Sequence, residues 1–252
     1  MFDHFLEFNM PGEVIVSLIA IGLIILFAIV IFFLARKQDP LKAPKGILLI
    51  AELGVRKADD LVKSFCGTRN QNLGAYVVSV AVYLGLCFFL GMTGLPAPVT
   101  NMAIPLTLAL CTFALIHFTA MRYNRWKYFK RFIDPLPVFL PVNLISMWSP
   151  ILSFAFRLFG NALSGYIVLS LVYWALEHLS ALIFSSLPAG VNTLFIAPII
   201  TPVLHLYFDV FAGFIQIIVF IFLSLIFIAQ EQPDDDLAQE LALTNYKERR
   251  PI

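Results

Sequence analysis

Apolar and polar positions alternate along this chain in long blocks. Residues 14–34 are an unbroken apolar run, matching the roughly 20 residues that a helix needs to cross a bilayer. Residues 38–72 are mixed, and from 46 to 65 apolar and charged residues recur at helical spacing. That pattern predicts an amphipathic helix lying on the membrane surface. Residues 75–121 hold a second and a third span, 75–92 and 103–121, joined by the uncharged, proline-containing turn 93–98. A short apolar piece, 133–148, is interrupted by Pro141 and Asn143 and is expected to enter the membrane without crossing it. Residues 149–229 then form two long apolar runs around a polar turn at 185–192. The second run, from 193, exceeds spanning length, which predicts a tilted helix. Residues 1–13 and the tail 230–252 are polar and flank the membrane part. The expected fold is one all-α membrane domain with about five crossings plus interfacial helices, the last two spans forming a long tilted hairpin.

Composition agrees. The chain is 60% hydrophobic and 13% charged, where soluble domains carry about 25% charged residues. The near-neutral net charge gives no reason to expect a nucleic-acid partner. The acidic start of the chain and the length of its first apolar run argue against a cleavable signal. Cys66, Cys87 and Cys111 have no metal or redox spacing and read as packing residues, so neither metal nor cofactor is expected.

The distribution of charge is more informative than its sum. Of 17 Lys and Arg residues, eight lie between Arg36 and Arg69, five between Arg122 and Arg131, and three in the tail. With positive residues inside, a five-crossing chain places all three groups in the cytoplasm and the N-terminus outside. Arg157 alone escapes that rule, inside the run 149–184. An arginine at the centre of a membrane helix costs about 2.5–3.5 kcal/mol even on the translocon scale, and it cannot escape by losing its proton.

Polar and small residues accompany it. Ser153, Asn161 and Ser164 share its helical face, and Gly160 with Ser164 makes a small-xxx-small pair suited to close helix approach. On the last run His205, Asp209 and Gln216 fall on one face, with Ala212 and Gly213 between them. Tyr166, Tyr173 and Glu177 fall on a face roughly opposite Arg157. Local readings stay open at this point: Arg157 paired permanently with Asp209, His205 as a packing residue, Glu177 simply wetted at an outer turn. Together, an arginine and a carboxylate on two adjacent membrane helices read as an ion path.

The run Arg157-Leu158-Phe159-Gly160-Asn161-Ala162-Leu163-Ser164-Gly165, followed by Asp209 seven positions before Gln216 in Ala212-Gly213-Phe214-Ile215-Gln216, resembles subunit a of the F-type ATP synthase. The order of spans resembles that family as well. The resemblance implies ion translocation, expected to be of protons, through two offset half-channels that couple flow to rotation and ATP synthesis or hydrolysis. It implies that Arg157 separates the half-channels and meets the carboxylate of the rotating ring, with Asn161 beside it and Gln216 facing it. Asp209, His205 and Glu177 are expected along the outer half-channel, with Tyr166 as wall where the family has His or Glu. Gly160, Ser164, Ala212 and Gly213 are expected to pack close to the rotor. The implied partners are a ring of c subunits, the peripheral-stalk b subunit and the lipid bilayer, in a bacterial plasma membrane. No phosphate-binding glycine loop occurs in the sequence, so the nucleotide chemistry is assigned to other chains. A stand-alone transporter is the alternative, but its usual internal duplication is missing from the sequence. An intramembrane enzyme would need a fuller set of paired catalytic groups.

Overall fold

A computed structural model describes residues 10–38, 44–67, 72–124, 140–183 and 196–232. These residues are almost entirely helical, and five of their helices are long and apolar enough to cross a membrane. The chain is an all-α membrane protein. In order the helices are α1 (Gly12–Lys37), α2 (Ile47–Cys66), α3 (Leu73–Met92), α4 (Ala103–Asn124), α5 (Leu140–Ile183) and α6 (Ala197–Gln230), all but α2 of spanning length and character, with a short 3-10 turn at Pro98–Thr100 before α4. The turn at 185–192, most of the basic cluster 125–131 and the tail from 233 lie outside the described residues.

The stretch whose charges recur at helical spacing forms helix α2. Its Ile47, Leu49, Ile50 and Leu53 stay exposed, while Ala58, Val62 and Cys66 are buried against α3 and α6. Cys66 Sγ–H points at the Leu225 carbonyl at 3.7 Å, and burial pushes its thiol up to about 11. On the same helix Arg56 pairs with Glu52 one turn away.

The core lies where α3, α4, α5 and α6 meet. Leu84 and Cys87 of α3, Leu158 of α5, and Phe220, Leu225 and Ile228 of α6 are all nearly or fully sealed from solvent. Phe154 of α5 stacks on Phe220 and Phe227, at centroid distances of 5.0 and 5.7 Å, locking the last two helices together. α1 is held more lightly, by a Ser17–Tyr83 hydroxyl hydrogen bond of 2.8 Å to α3 and by Gly12 lying against Pro96.

Two expectations need correction. The piece ending at 148 is not separate from the run that begins at 149, because α5 is one helix from Leu140 to Ile183 with Pro150 inside it. Pro141 sits in its first turn, where a missing N–H costs nothing. At 1.5 Å per residue the helix is ~66 Å long, about twice the ~30 Å hydrocarbon core. The second correction concerns α6, which is not uniform: Leu206–Phe211 forms a π-helical turn. Such a turn admits an extra residue and so rotates the rest of the helix by about 100°.

Candidate functional site

α5 buries Ile151, Phe154, Ala155, Leu158, Gly165 and Leu169 along one stripe, the i, i+3, i+4, i+7 pattern of a helix keyed into a core. With that stripe fixed, Ser153, Arg157, Gly160 and Ser164 fall on the open side and are exposed. Nothing lies within 4 Å of a Cβ built on Gly160. Among the described residues Arg157 makes no hydrogen bond or ion pair. The permanent Arg157–Asp209 bridge left open by the sequence is therefore absent, and Asp209 is engaged elsewhere.

That engagement forms the floor of a cleft of about 650 Å³. The His205 Nδ1–H donates to Asp209 Oδ2 at 2.5 Å, and the Tyr173 hydroxyl meets His205 Nε2 at 2.8 Å. The three side chains thus form a hydrogen-bonded chain from α5 across to the π turn of α6. His205 and Asp209 are 30% and 24% exposed, so neither is sealed from the cleft. Asn161, Tyr166 and Ser170 of α5 line the same cleft. Its far wall is the 94–100 connection between α3 and α4, and Glu13, in the first turn of α1, lines it as well. Asn161 lies one helical turn from Arg157, so the cleft ends next to the charge without including it.

The π turn explains which expected groupings fail. His205 and Asp209 face the cleft, but Gln216 does not share their face. It is 5% exposed, and its amide nitrogen has no hydrogen-bond partner among the described residues. Gly213 is also turned inward. A Cβ there would stand 2.9 Å from the ring of Phe88 on α3, so this glycine serves packing within the chain and not an open rotor-facing surface. Ala212 is half-buried. Gly160 and Ser164 are exposed, and Ser164 Oγ–H donates to the Asn161 carbonyl at 3.0 Å.

Glu177 is the other departure. It is exposed and is not among the residues lining the cleft, while its neighbour His178 bonds the Trp174 carbonyl at 2.8 Å and stacks on that indole. The acid that joins Asp209 at the cleft is instead Glu13, which local sequence marks only as an acid suited to a helix N-terminus. Tyr173 was legible as a companion of Tyr166 on one face; its bond to His205 required the fold.

The ATP synthase A chain family model matches residues 14–229. The chain is 31% identical over 227 residues to ATP synthase subunit a of Mycoplasma genitalium, covering 81% of this chain and 75% of that protein. It is 28% identical over 247 residues to ATP synthase subunit a of Anoxybacillus flavithermus, covering 91% and 94%. A relative named as sodium ion specific, ATP synthase subunit a of Propionigenium modestum, is 31% identical over 120 residues, covering 47% and 34%. An arginine within a membrane-spanning helix, a cleft ending beside it and a family match over most of the length converge: the chain belongs to the ATP synthase A chain family and translocates ions in the membrane sector of that multi-subunit complex.

Proposed function

We propose that Arg157 is the barrier between two offset half-channels, and that the cleft floored by His205 and Asp209 is the outer one. The observation that carries this reading is the pairing pattern. Asp209 is satisfied by His205, while Arg157 stands unpaired among the described residues on the open face of α5, one turn beyond Asn161. A cation kept in that position favours ionisation of a carboxylate brought up to it, because an opposite charge within ~4–6 Å lowers a carboxyl pKa. At ~4 Å and an effective dielectric near 20 the attraction is about 4 kcal/mol. A membrane potential supplies ~2.3 kcal/mol per charge per 100 mV. The two are comparable, so a carboxylate can be held and then moved on, provided the site stays wet.

On this reading the carboxylates belong to a rotating ring of c subunits that meets the Arg157–Gly160–Ser164 face. The surface helix α2 and α1 hold the peripheral-stalk b subunit. The ion is the proton. The N-terminus faces outward and the basic segments face the cytoplasm of a bacterial cell, as the positive-inside rule requires. Replacement of Arg157 by Ala, measured in vesicles that hold the whole complex, should abolish ion-coupled ATP synthesis while leaving assembly intact. Full retention of coupled synthesis would overturn the reading. Asp209→Asn should slow ion flux more than it disturbs assembly, and an unchanged flux would make Asp209 structural.

A further inference from the structure

Tyr166 of α5, 62% exposed, lines the cleft with its phenol. Two helical turns further along α5, Tyr173 reaches across the cleft to His205, and His205 reaches on to Asp209. Both ring nitrogens of the histidine are thereby engaged, one by a group that both donates and accepts, the other by a carboxylate that only accepts.

We propose that Tyr173, His205 and Asp209 form a proton-loading relay, with His205 as the carrier that charges Asp209 and Tyr173 as the positioning residue that fixes its tautomer. The proposal rests on the assignment of this cleft as the outer half-channel. In the resting state Asp209 holds the proton of His205 on Nδ1, and Nε2 accepts from the Tyr173 hydroxyl. A proton from cleft water enters at the Tyr173 oxygen as the phenolic proton moves to Nε2, giving an imidazolium beside the Asp209 carboxylate. The bond between Tyr173 and His205 then runs the other way, with Nε2–H donating to the phenol oxygen, so neither partner is left unsatisfied. The Nδ1 proton passes to Asp209, which gives it up toward the membrane centre. One proton enters from water and one leaves from Asp209. The first tautomer is restored by exchange with cleft water, Nε2 giving its proton up through the Tyr173 oxygen while Nδ1 takes one, with no net proton gained or lost.

The remaining titratable groups facing this chain of bonds are Glu13 from α1, Cys87 from α3 and Tyr166 from α5. Of these, Glu13 is the acid suited to gathering protons at the cleft. Cys87 is fully buried and forms part of the wall. The cleft is also large enough, at about 650 Å³, to admit a small base from solution, which makes the relay open to chemical rescue.

The test uses the intact complex in vesicles, with ATP synthesis driven by an acid bath on the outer side. His205→Ala should lower the rate by about a hundredfold, and added imidazole should restore a substantial part of it. Tyr173→Phe keeps the ring but loses the hydroxyl, and should lower the rate by about tenfold. Its dependence on outer pH should move while its dependence on inner pH stays put, a split that loss of packing alone would not produce. His205→Gln serves where the alanine variant fails to assemble, since its amide keeps a donor for Asp209; it should be as slow as the alanine variant. Wild-type rate and outer-pH profile in Tyr173→Phe, or failure of imidazole to rescue an assembled His205→Ala complex, would overturn the relay. If Arg157→Ala still couples, the half-channel reading falls as a whole. If Arg157→Ala uncouples while Tyr173→Phe and His205→Gln run at full speed, the relay alone falls.

Discussion

Gly160 and Gly213 look alike in sequence, each an apparent gap for a neighbouring rotor helix, and the structure separates them. A Cβ added at Gly213 would lie 2.9, 3.1 and 3.2 Å from three ring carbons of Phe88. Those carbons sit at the base of the ring and cannot swing aside as a chain end would. Overpacking of this kind costs about 1–3 kcal/mol. Alanine in place of glycine returns up to ~1 kcal/mol of helix propensity. The net expectation for Gly213→Ala is therefore a loss of about 0.5–2 kcal/mol, located at the contact of α3 with α6. Thermal unfolding of the purified complex in detergent, read as subunit dissociation, should fall accordingly. Phe88→Leu should relieve the clash, so the double variant should be more stable than the two single effects predict, with a coupling of about 0.5–3 kcal/mol. Gly160→Ala should behave in the opposite way, leaving this subunit as stable as before and impairing only turnover of the assembled motor. Unchanged stability in Gly213→Ala, or strict additivity with Phe88→Leu, would refute the reasoning.

Three further outcomes are expected. Tyr83→Phe removes the 2.8 Å bond to Ser17 and should loosen α1 by about 0.5–1.5 kcal/mol, seen as faster proteolysis after α1, with no effect if the bond is idle. Cys66 is sealed, and burial holds its thiol near 11 against an ordinary value near 9; soluble maleimide at neutral pH should leave it unlabelled. Because the raised value favours the folded thiol, that contribution is complete below about 9 and is lost as pH climbs toward about 11, so labelling should begin only in that window. Glu13→Gln should slow synthesis several-fold when protons are scarce outside, above about pH 8, and Glu13→Asp should restore most of it; equal rates across the outer pH range would remove Glu13 from the path.

The spans were legible in the sequence because membrane helices obey a length rule. Apolar runs at 14–34, 75–92 and 103–121 became α1, α3 and α4 with ends moved by three residues or fewer. Helix α2 was legible because its charges recur at helical spacing. Two features were not. Proline normally ends a helix in water, yet α5 runs through Pro150, because a membrane helix tolerates proline where neighbouring groups satisfy the freed carbonyl. The π turn at Leu206–Phe211 has no residue signature, and it is this turn that parts His205 and Asp209 from Gly213 and Gln216. Glu13 and Glu177 illustrate the same limit. Both are acids near the ends of spans, and only the path of α1 beside the 94–100 connection brings one of them to the cleft.

The exposure of Arg157 is itself a consequence of packing. Leu158, the adjacent residue, is fully buried, and Phe154 is gripped between Phe220 and Phe227. Turning α5 by the ~100° between neighbouring residues would hide the guanidinium only by pulling Leu158 and Phe154 out of the core. Each of those costs on the order of 2–5 kcal/mol, as much as or more than the ~2.5–3.5 kcal/mol of leaving an arginine in the membrane. Nor can Asp209 turn to meet the arginine without giving up His205, and with it the bond that reaches Tyr173. The aromatic lock and the relay thus bar the two routes by which the charge would be silenced within its own chain. On the proposed reading, that leaves Arg157 available to a carboxylate that arrives from outside the subunit and leaves again.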